Sequence, residues 1–350
     1  MDDRHRLQVF DVCDRITCIG DPVGTLGRSN SVILTTADSS SSGSAFIVDT
    51  LLTPSLANTV SRHLAERELP ASVVLNTHSH IDHVGGNAEF RHARIVASPP
   101  TVSMVAQMVH DTGFLAERFP AFAAELSELT VRVPVPIDPD RDLPAGVELL
   151  TAGPAHSPGD VALWLPDERI LVAGDLCFGG VIPLALPGHA NLEGWATALA
   201  RLDELGPRIV IPGHGQPGGP AMLAALRRYL DALLDVAGDV ARDRIDVDAA
   251  LATLRSALPG WAEPAGHAVN LRTAMASLSP GAPRGLGTLG RPLDSSRPVV
   301  GMSPAASHPV GQDVVADGRK TGPQVLTEEP GVVPEEVAIP GPRTAKEGSA

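Results

Sequence analysis

Between residues 73 and 87 the chain reads Val73-Val-Leu-Asn-Thr-His78-Ser-His80-Ile-Asp82-His83-Val-Gly-Gly-Asn87, so four side chains able to bind a metal fall within six residues. They follow an apolar run and precede a Gly-Gly turn. In extended backbone His78 and His80 point the same way, because side chains alternate with a period of two, and the pair can grip one ion. As the chain curls into a turn, Asp82 and His83 swing toward a neighbouring point. Imidazole and carboxylate suit Zn or Fe, and two such clusters invite two ions. A lone histidine is usually a surface or core residue; three with an aspartate in one short loop form a ligand pattern.

Three further candidates follow strand-like runs. Leu150-Thr-Ala-Gly-Pro-Ala-His156-Ser-Pro-Gly-Asp160 places His156 in a loop fixed by Pro and Gly. Arg169-Ile-Leu-Val-Ala-Gly-Asp175 sets an acid at the end of a buried strand, where a carboxylate is costly unless metal-bound or hydrogen-bonded. Arg208-Ile-Val-Ile-Pro-Gly-His214 repeats the device with histidine. Each of these two strands is expected to end at its ligand.

The elements that must position these residues are short. β-branched runs predict strands at 9–12, 15–19, 31–36, 45–49, 72–76, 94–97, 129–133, 147–151, 162–165, 169–173 and 208–212. Helices are expected at 53–66, 101–110, 115–126, 192–205, 220–237, 248–258 and 267–278. A meander of strands followed by alternating elements points to an α/β sandwich. Residues 280–350 hold 11 Pro and 11 Gly and no aromatic residue, so they cannot bury enough surface to offset chain entropy. The chain therefore divides into a short N-terminal tail, 1–7, a catalytic domain with C-terminal helices, 8–278, and a disordered Pro/Gly-rich tail, 279–350. The tail's Gly285-Leu-Gly-Thr-Leu-Gly290 matches a dinucleotide fingerprint only formally, since no strand precedes it and no helix follows.

The full chain has 350 residues, 43% hydrophobic, with a formal charge of −14. That acidity argues against nucleic acid or a membrane surface as partner and leaves a small-molecule substrate, anionic ones included if a cation waits in the site. Cys13, Cys18 and Cys177 are an odd, scattered count without C-x-x-C spacing, and no apolar run approaches a membrane span. A cytoplasmic location is expected. Oligomeric state is not legible.

The order His78-x-His80-x-Asp82-His83, then His156, Asp175 and His214, resembles the metallo-β-lactamase superfamily over roughly residues 8–278. The resemblance implies a four-layer αβ/βα sandwich with a metal site at one edge between its two sheets. By the family pattern His78, His80 and His156 would hold one zinc, and Asp82, His83 and His214 a second, with Asp175 bridging; Fe or Mn could replace zinc. The stretches Ala155-His-Ser-Pro-Gly-Asp160, Ala173-Gly-Asp-Leu-Cys-Phe178 and Pro212-Gly-His-Gly215 are similar to the branch of glyoxalase-II-like thioesterases and sulfur-oxidation-associated zinc hydrolases. Many β-lactamases of the family carry Cys where this chain has Asp175, which disfavours antibiotic cleavage. Diiron flavoproteins carry Glu where this chain keeps His80.

The implied chemistry is a zinc-bridged hydroxide attacking a thioester, lactone or similar carbonyl bond, with Asp82 as the catalytic residue that orients the nucleophile or carries a proton. Two other readings compete. A mononuclear iron persulfide dioxygenase would need only His78, His156 and Asp175, and a non-catalytic metal-binding module would keep the fold without turnover. Asp49 and Thr77 are candidates to orient the imidazoles. His110 and His189 lie in segments that could overhang the site, while His5, His63, His92 and His308 read as surface residues and His267 as structural.

Overall fold

A computed structural model describes residues 7–278, apart from 26, 37–42, 109–112 and 262–265. His5, His110, His308 and the tail assigned to 279–350 lie outside the described residues. In chain order the first sheet collects β1 (Gln8–Cys13), β2 (Ile16–Gly20), β3 (Ser31–Thr36), β4 (Ser44–Val48), β5 (Ala71–Asn76), β6 (Arg94–Ala97) and β7 (Val135–Pro136), antiparallel as far as β4 and parallel beyond it. The second sheet has the order β11-β10-β9-β8, built from β8 (Glu148–Thr151), β9 (Val161–Leu165), β10 (Ile170–Gly179) and β11 (Ile209–Gly215). On the first sheet's outer side lie α1 (Pro54–Ala65), the single turn α2 (Ile81–Val84), α3 (Pro99–Met108), α4 (Gly113–Arg118) and α5 (Ala123–Ser127), and the short α6 (Pro139–Asp142) follows β7. The second sheet is covered by α7 (Leu192–Glu204), α8 (Ala221–Ala241), α9 (Val247–Ala257) and α10 (Gly266–Ser277).

Strand alternation builds the layers. Val32 and Leu34 of β3, Phe46 and Val48 of β4, and Leu75 of β5 face Val161, Leu163 and Leu165 of β9 and Ile170 and Val172 of β10 in the core between the sheets. Their neighbours Ile33, Ala45, Ile47 and Val74 turn to the helices of the first half, and Ala162, Trp164, Leu171 and Ala173 to those of the second. Strands covered on both faces must be apolar at every position, which is why they read as continuous runs. The helices are capped as their sequences require: Thr53 accepts from the Leu56 amide with Pro54 opening α1, and Asn191 accepts from Gly194 at the start of α7. At one end main-chain bonds stitch the sheets together, Val161 N to Thr77 O at 3.0 Å and Asn30 N to Gly213 O at 2.7 Å.

Three expectations are corrected. No strand forms at 129–133; the edge is Val135–Pro136, because Pro134 and Pro136 remove the donors a longer ladder needs. The expected helix at 115–126 breaks into α4, a 3₁₀ turn over Pro120–Phe122 and α5, with Pro120 at the break. Finally, the ligand-bearing strands do not end at their ligands: β10 runs past Asp175 to Gly179 and β11 past His214 to Gly215, the pairing surviving through register shifts after Val172 and Gly174.

The layering gives a stability contrast. Leu163→Ala, in the core between the sheets, should cost about 2–5 kcal/mol in urea unfolding. Val9→Ala, on the exposed outer strand, should cost no more than about 0.5 kcal/mol. Equal costs would contradict this placement of the core.

Candidate metal centre

His78 and His80 leave the end of β5 in a bend, and the chain then closes into α2, which carries Asp82 and His83 on its single turn. His156 comes from the loop after β8, Asp175 from β10 and His214 from β11. These seven side chains converge in two groups, His78, His80, His156 and Asp175 in one and Asp82, His83 and His214 in the other. Asp175 touches both. Its Oδ2 lies 3.3 Å from His156 Nε2, 3.5 Å from His214 Nε2 and 3.8 Å from His78 Nε2, while Oδ1 lies 3.1 Å from His83 Nε2. Asp82 Oδ2 is 3.3 Å from His214 Nε2. All seven are buried, and His80 and Asp82, at 9% exposure, are the two most accessible.

Such convergence suits a divalent cation. His78 Nε2 is buried without a hydrogen-bond partner, His80 Nδ1 faces His156 Nε2 at 2.9 Å, and His83 Nε2 faces only Asp175 Oδ1, at 3.1 Å. Leaving several buried acceptors unsatisfied costs about 1–3 kcal/mol each unless something electropositive collects them. Nitrogen and carboxylate donors at this spacing are the donor set of a zinc-like ion.

Glycines make the approach feasible. A Cβ on Gly213 would collide with Asp175 Oδ1, and one on Gly174, at φ +53°, would press on Thr77. Around the ligand-type residues sits a layer of fixed partners. Asp49 accepts from Thr77 N, Thr77 Oγ1 and His83 Nδ1, each at 2.7 Å, and Thr77 Oγ1 lies 3.0 Å from His78 Nδ1. Asp49 itself sits at φ 62°, a left-handed conformation that these bonds hold against its strain. Asp160 accepts from Ser157 N at 2.6 Å and from Ser157 Oγ at 2.7 Å, closing the turn that presents His156; burial, against those hydrogen bonds, lifts its carboxyl to about 7. Trp195 meets His156 edge-on at 4.9 Å and donates its indole N–H to Leu176 O, next to Asp175. Phe178 stacks on His214, and Asn30 donates to Pro212 O and Gly215 O, bracketing the same histidine. Ser29 Oγ donates to the backbone carbonyl of Asp82.

The two groups differ in charge. Burial lowers His78 well below its ordinary value and brings His80 and His156 to about 3, so all three rings are neutral. Burial also disfavours charge on His83 and His214, but Asp175, with Asp49 or Asp82, outweighs it, holding His83 well above the ordinary value and His214 up at about 9. Burial pushes the Asp82 carboxyl up, and the His214 hydrogen bond and the His83 charge more than reverse that, leaving it at about 2.

Asp49 and Thr77 thus stand where the sequence pointed. His189 is buried against His80, and His63, expected at the surface, is buried on the inner face of α1. His267 is structural, its Nδ1 3.0 Å from Tyr229 Oη. The roles of Ser29, Asn30, Trp195 and Asp160 were not read from the sequence; of these only Asp160 carried a signal, the tight Ser-Pro-Gly-Asp turn. Arg118 was also missed. Its Nη2 is buried without a hydrogen-bond partner, and burial lowers its guanidinium while Asp82 opposes the change.

The sequence pattern of the metallo-beta-lactamase superfamily matches residues 24–214, a span that contains all seven converging side chains and ends on His214. The chain belongs to this superfamily. The chain is similar to the alpha subunit of a 2,4-dinitroanisole O-demethylase from a Nocardioides strain, 29% identical over 205 residues, or 57% of this chain and 58% of that protein. A type 2 metallo-beta-lactamase from Pseudomonas aeruginosa is 23% identical over 57% of this chain and 72% of its own length. In fold the chain is similar to a metallo-beta-lactamase from Pseudomonas aeruginosa in its mono-zinc form (TM-score 0.51, 18% identity, 66% of this chain and 98% of that one). It is similar also to an inverting sec-alkylsulfatase from a Pseudomonas species (TM-score 0.58, 17% identity, 78% and 50%). The chain thus spans little more than half of the demethylase subunit and half of the alkylsulfatase. All four named proteins are enzymes, and the metallo-beta-lactamase fold with this His/Asp cluster makes the chain a divalent-metal-binding protein.

The charge pattern predicts proton release. His83 and His214 carry protons at pH 7 in the metal-free chain, so a divalent ion taken up by their nitrogens must displace them, up to about two per chain, and affinity must rise with pH toward about 9. Calorimetric titration with zinc in buffers of different ionisation enthalpy measures the count; zero protons would refute the assignment. The His214 charge also stabilises the metal-free fold fully below 6.5, the ordinary histidine value, and that contribution disappears as pH rises through about 9.

Proposed function

We propose that the chain is a metallohydrolase that holds two zinc ions and cleaves an ester-type carbonyl bond, a thioester or lactone, in a small molecule. The observation that carries this reading is the position of Asp175, one carboxylate within 3.8 Å of histidine nitrogens from both groups. His78, His80 and His156 would hold one ion, Asp82, His83 and His214 the other, and Asp175 both. When bound, a pair of such ions supplies a nucleophile at neutral pH and polarises the carbonyl under attack.

The protein's own groups do the rest. Asp82, ionised at pH 7 and among the most accessible of the cluster, would accept a proton from the attacking water and return it to the leaving group. Phe178 and Trp195 pack against His214 and His156 from the core side. Arg118, with its buried unpartnered Nη2, would take an anionic or strongly polar group of the substrate. The catalytic body is taken as 8–278, flanked by tails at 1–7 and 279–350. The charge of −14 speaks for small molecules over nucleic acid or membrane as partners, and three free cysteines speak for a cytoplasmic setting. Among the described residues no helix is long and apolar enough to cross a membrane.

The test is metal quantification followed by a panel of thioesters, lactones, β-lactams, phosphodiesters, alkyl sulfates and a nitroaryl methyl ether. Two zinc per chain with turnover of a thioester or lactone is the expected result, and Asp82→Asn should lower kcat about 10²–10⁴-fold. About one iron per chain with oxygen consumption on a persulfide would overturn the reading in favour of a dioxygenase. Turnover of phosphodiesters alone would overturn the substrate class.

A further inference from the structure

His80 presents its two ring nitrogens to different surroundings. Nδ1 faces the cluster, 2.9 Å from His156 Nε2, whereas Nε2 faces away from it and lies 3.3 Å from Nδ1 of His189. The His80 and His189 rings are inclined by only 20° with centroids 5.4 Å apart, and His189 is only 4% exposed. A neutral imidazole has one donor and one acceptor, and the bond made by one nitrogen decides which form the other adopts. Around the same cluster the outward nitrogens of His83 and His78 have their own partners, Asp49 and Thr77.

The segment that delivers His189 is fixed at both ends. Toward the C-terminal side, His189 N and Ala190 N both donate to Leu186 O, and Asn191 N donates to Ala155 O, the residue before His156, at 2.7 Å. Toward the other end α10 holds the chain: Asn270 Oδ1 accepts from Ala185 N at 2.7 Å, Asn270 Nδ2 donates to Pro183 O at 2.8 Å, and Thr273 Oγ1 donates to Ala185 O at 2.7 Å. Asn270 and Thr273 are both buried. An arm braced in this way delivers its histidine to one place, so the contact with His80 is built in.

We propose that His189 is a positioning residue for His80: its Nδ1 accepts the Nε2–H of His80 and so holds His80 with the Nδ1 lone pair turned into the cluster. The pairing orients the ring without adding charge, whereas Asp49 orients His83 and brings a carboxylate with it. The inference rests on the metal reading above and goes beyond it, by giving one half of the centre a neutral brace drawn from the loop that crosses the site.

The experiment uses the full chain and zinc itself, with affinities read by competition against a chromophoric chelator. His189→Phe keeps a ring against His80 and removes the acceptor; His189→Gln restores an acceptor. The phenylalanine variant should lose about 10–100-fold in affinity for one of the two zinc ions and leave the other unchanged, with the glutamine variant recovering most of the loss. Wild-type affinity in the phenylalanine variant would overturn the proposal, as would a glutamine variant no better than the phenylalanine one, which would mean packing alone. No zinc uptake by the wild-type chain would sink the metal reading and this inference with it. Should the variants fail to fold, ¹⁵N spectra of the zinc-loaded wild-type chain decide: a coupling between His80 Nε2 and His189 Nδ1 supports the proposal, and a His189 protonated at Nδ1 overturns it.

Discussion

A carboxylate taken out of water must find positive charge or donors around it, and Asp175 is fully enclosed by imidazole nitrogens. Much of the local architecture is explained by meeting that demand. β10, which carries it, and β11 shift register against each other so that Asp175 and His214 can sit within the ladder, and Gly213 leaves out the Cβ that would strike the carboxylate. Trp195 ties the next carbonyl along the strand to the helix layer while supporting His156. In the metal-free chain His83 and His214 balance the acids with their own protons. Part of the compensating charge is therefore in place before any ion arrives, and an ion at that half of the centre enters by exchange with protons.

The fold was legible wherever local pattern and tertiary burial agree. Strands such as Ser31–Thr36 and Arg94–Ala97 are found at the residues their β-branched runs indicated, because both faces are covered at Val32 to Leu34 and at Ile95 to Ala97, and those buried positions are apolar. Reading failed at 129–133, where Val131 and Val133 favour a strand but the prolines that follow leave nothing to pair with. It failed also at the ends of β10 and β11, since Gly174 before Asp175 and Pro212-Gly213 before His214 interrupt the strand signal just where the ladder in fact continues.

The site was legible for a different reason. Metal ligands come from a short list of residue types, and four of the seven sit in one loop, so their chemistry shows without any knowledge of distance. The residues that orient them have no such restriction. Asn30 and Ser29 act through contacts to backbone carbonyls far along the chain, at Pro212, Gly215 and Asp82, and nothing about an Asn or a Ser in a loop announces a partner more than fifty residues away. His189 carried a recognisable side chain, but its neighbour His80 is 109 positions distant and only the folded loop brings them together.

The seven converging side chains are divided between the halves of the sandwich: His78, His80, Asp82 and His83 follow β5 in the first sheet, whereas His156, Asp175 and His214 belong to the second. Neither half alone owns a complete donor set. The centre therefore acts as a coincidence detector for docking of the two layers, because a chain that has formed only one sheet can offer an ion only a partial and far weaker grip. Ion capture and closure of the sandwich therefore reinforce each other, because an ion held by both halves adds to the seam that Val161 and Thr77 join through their backbones.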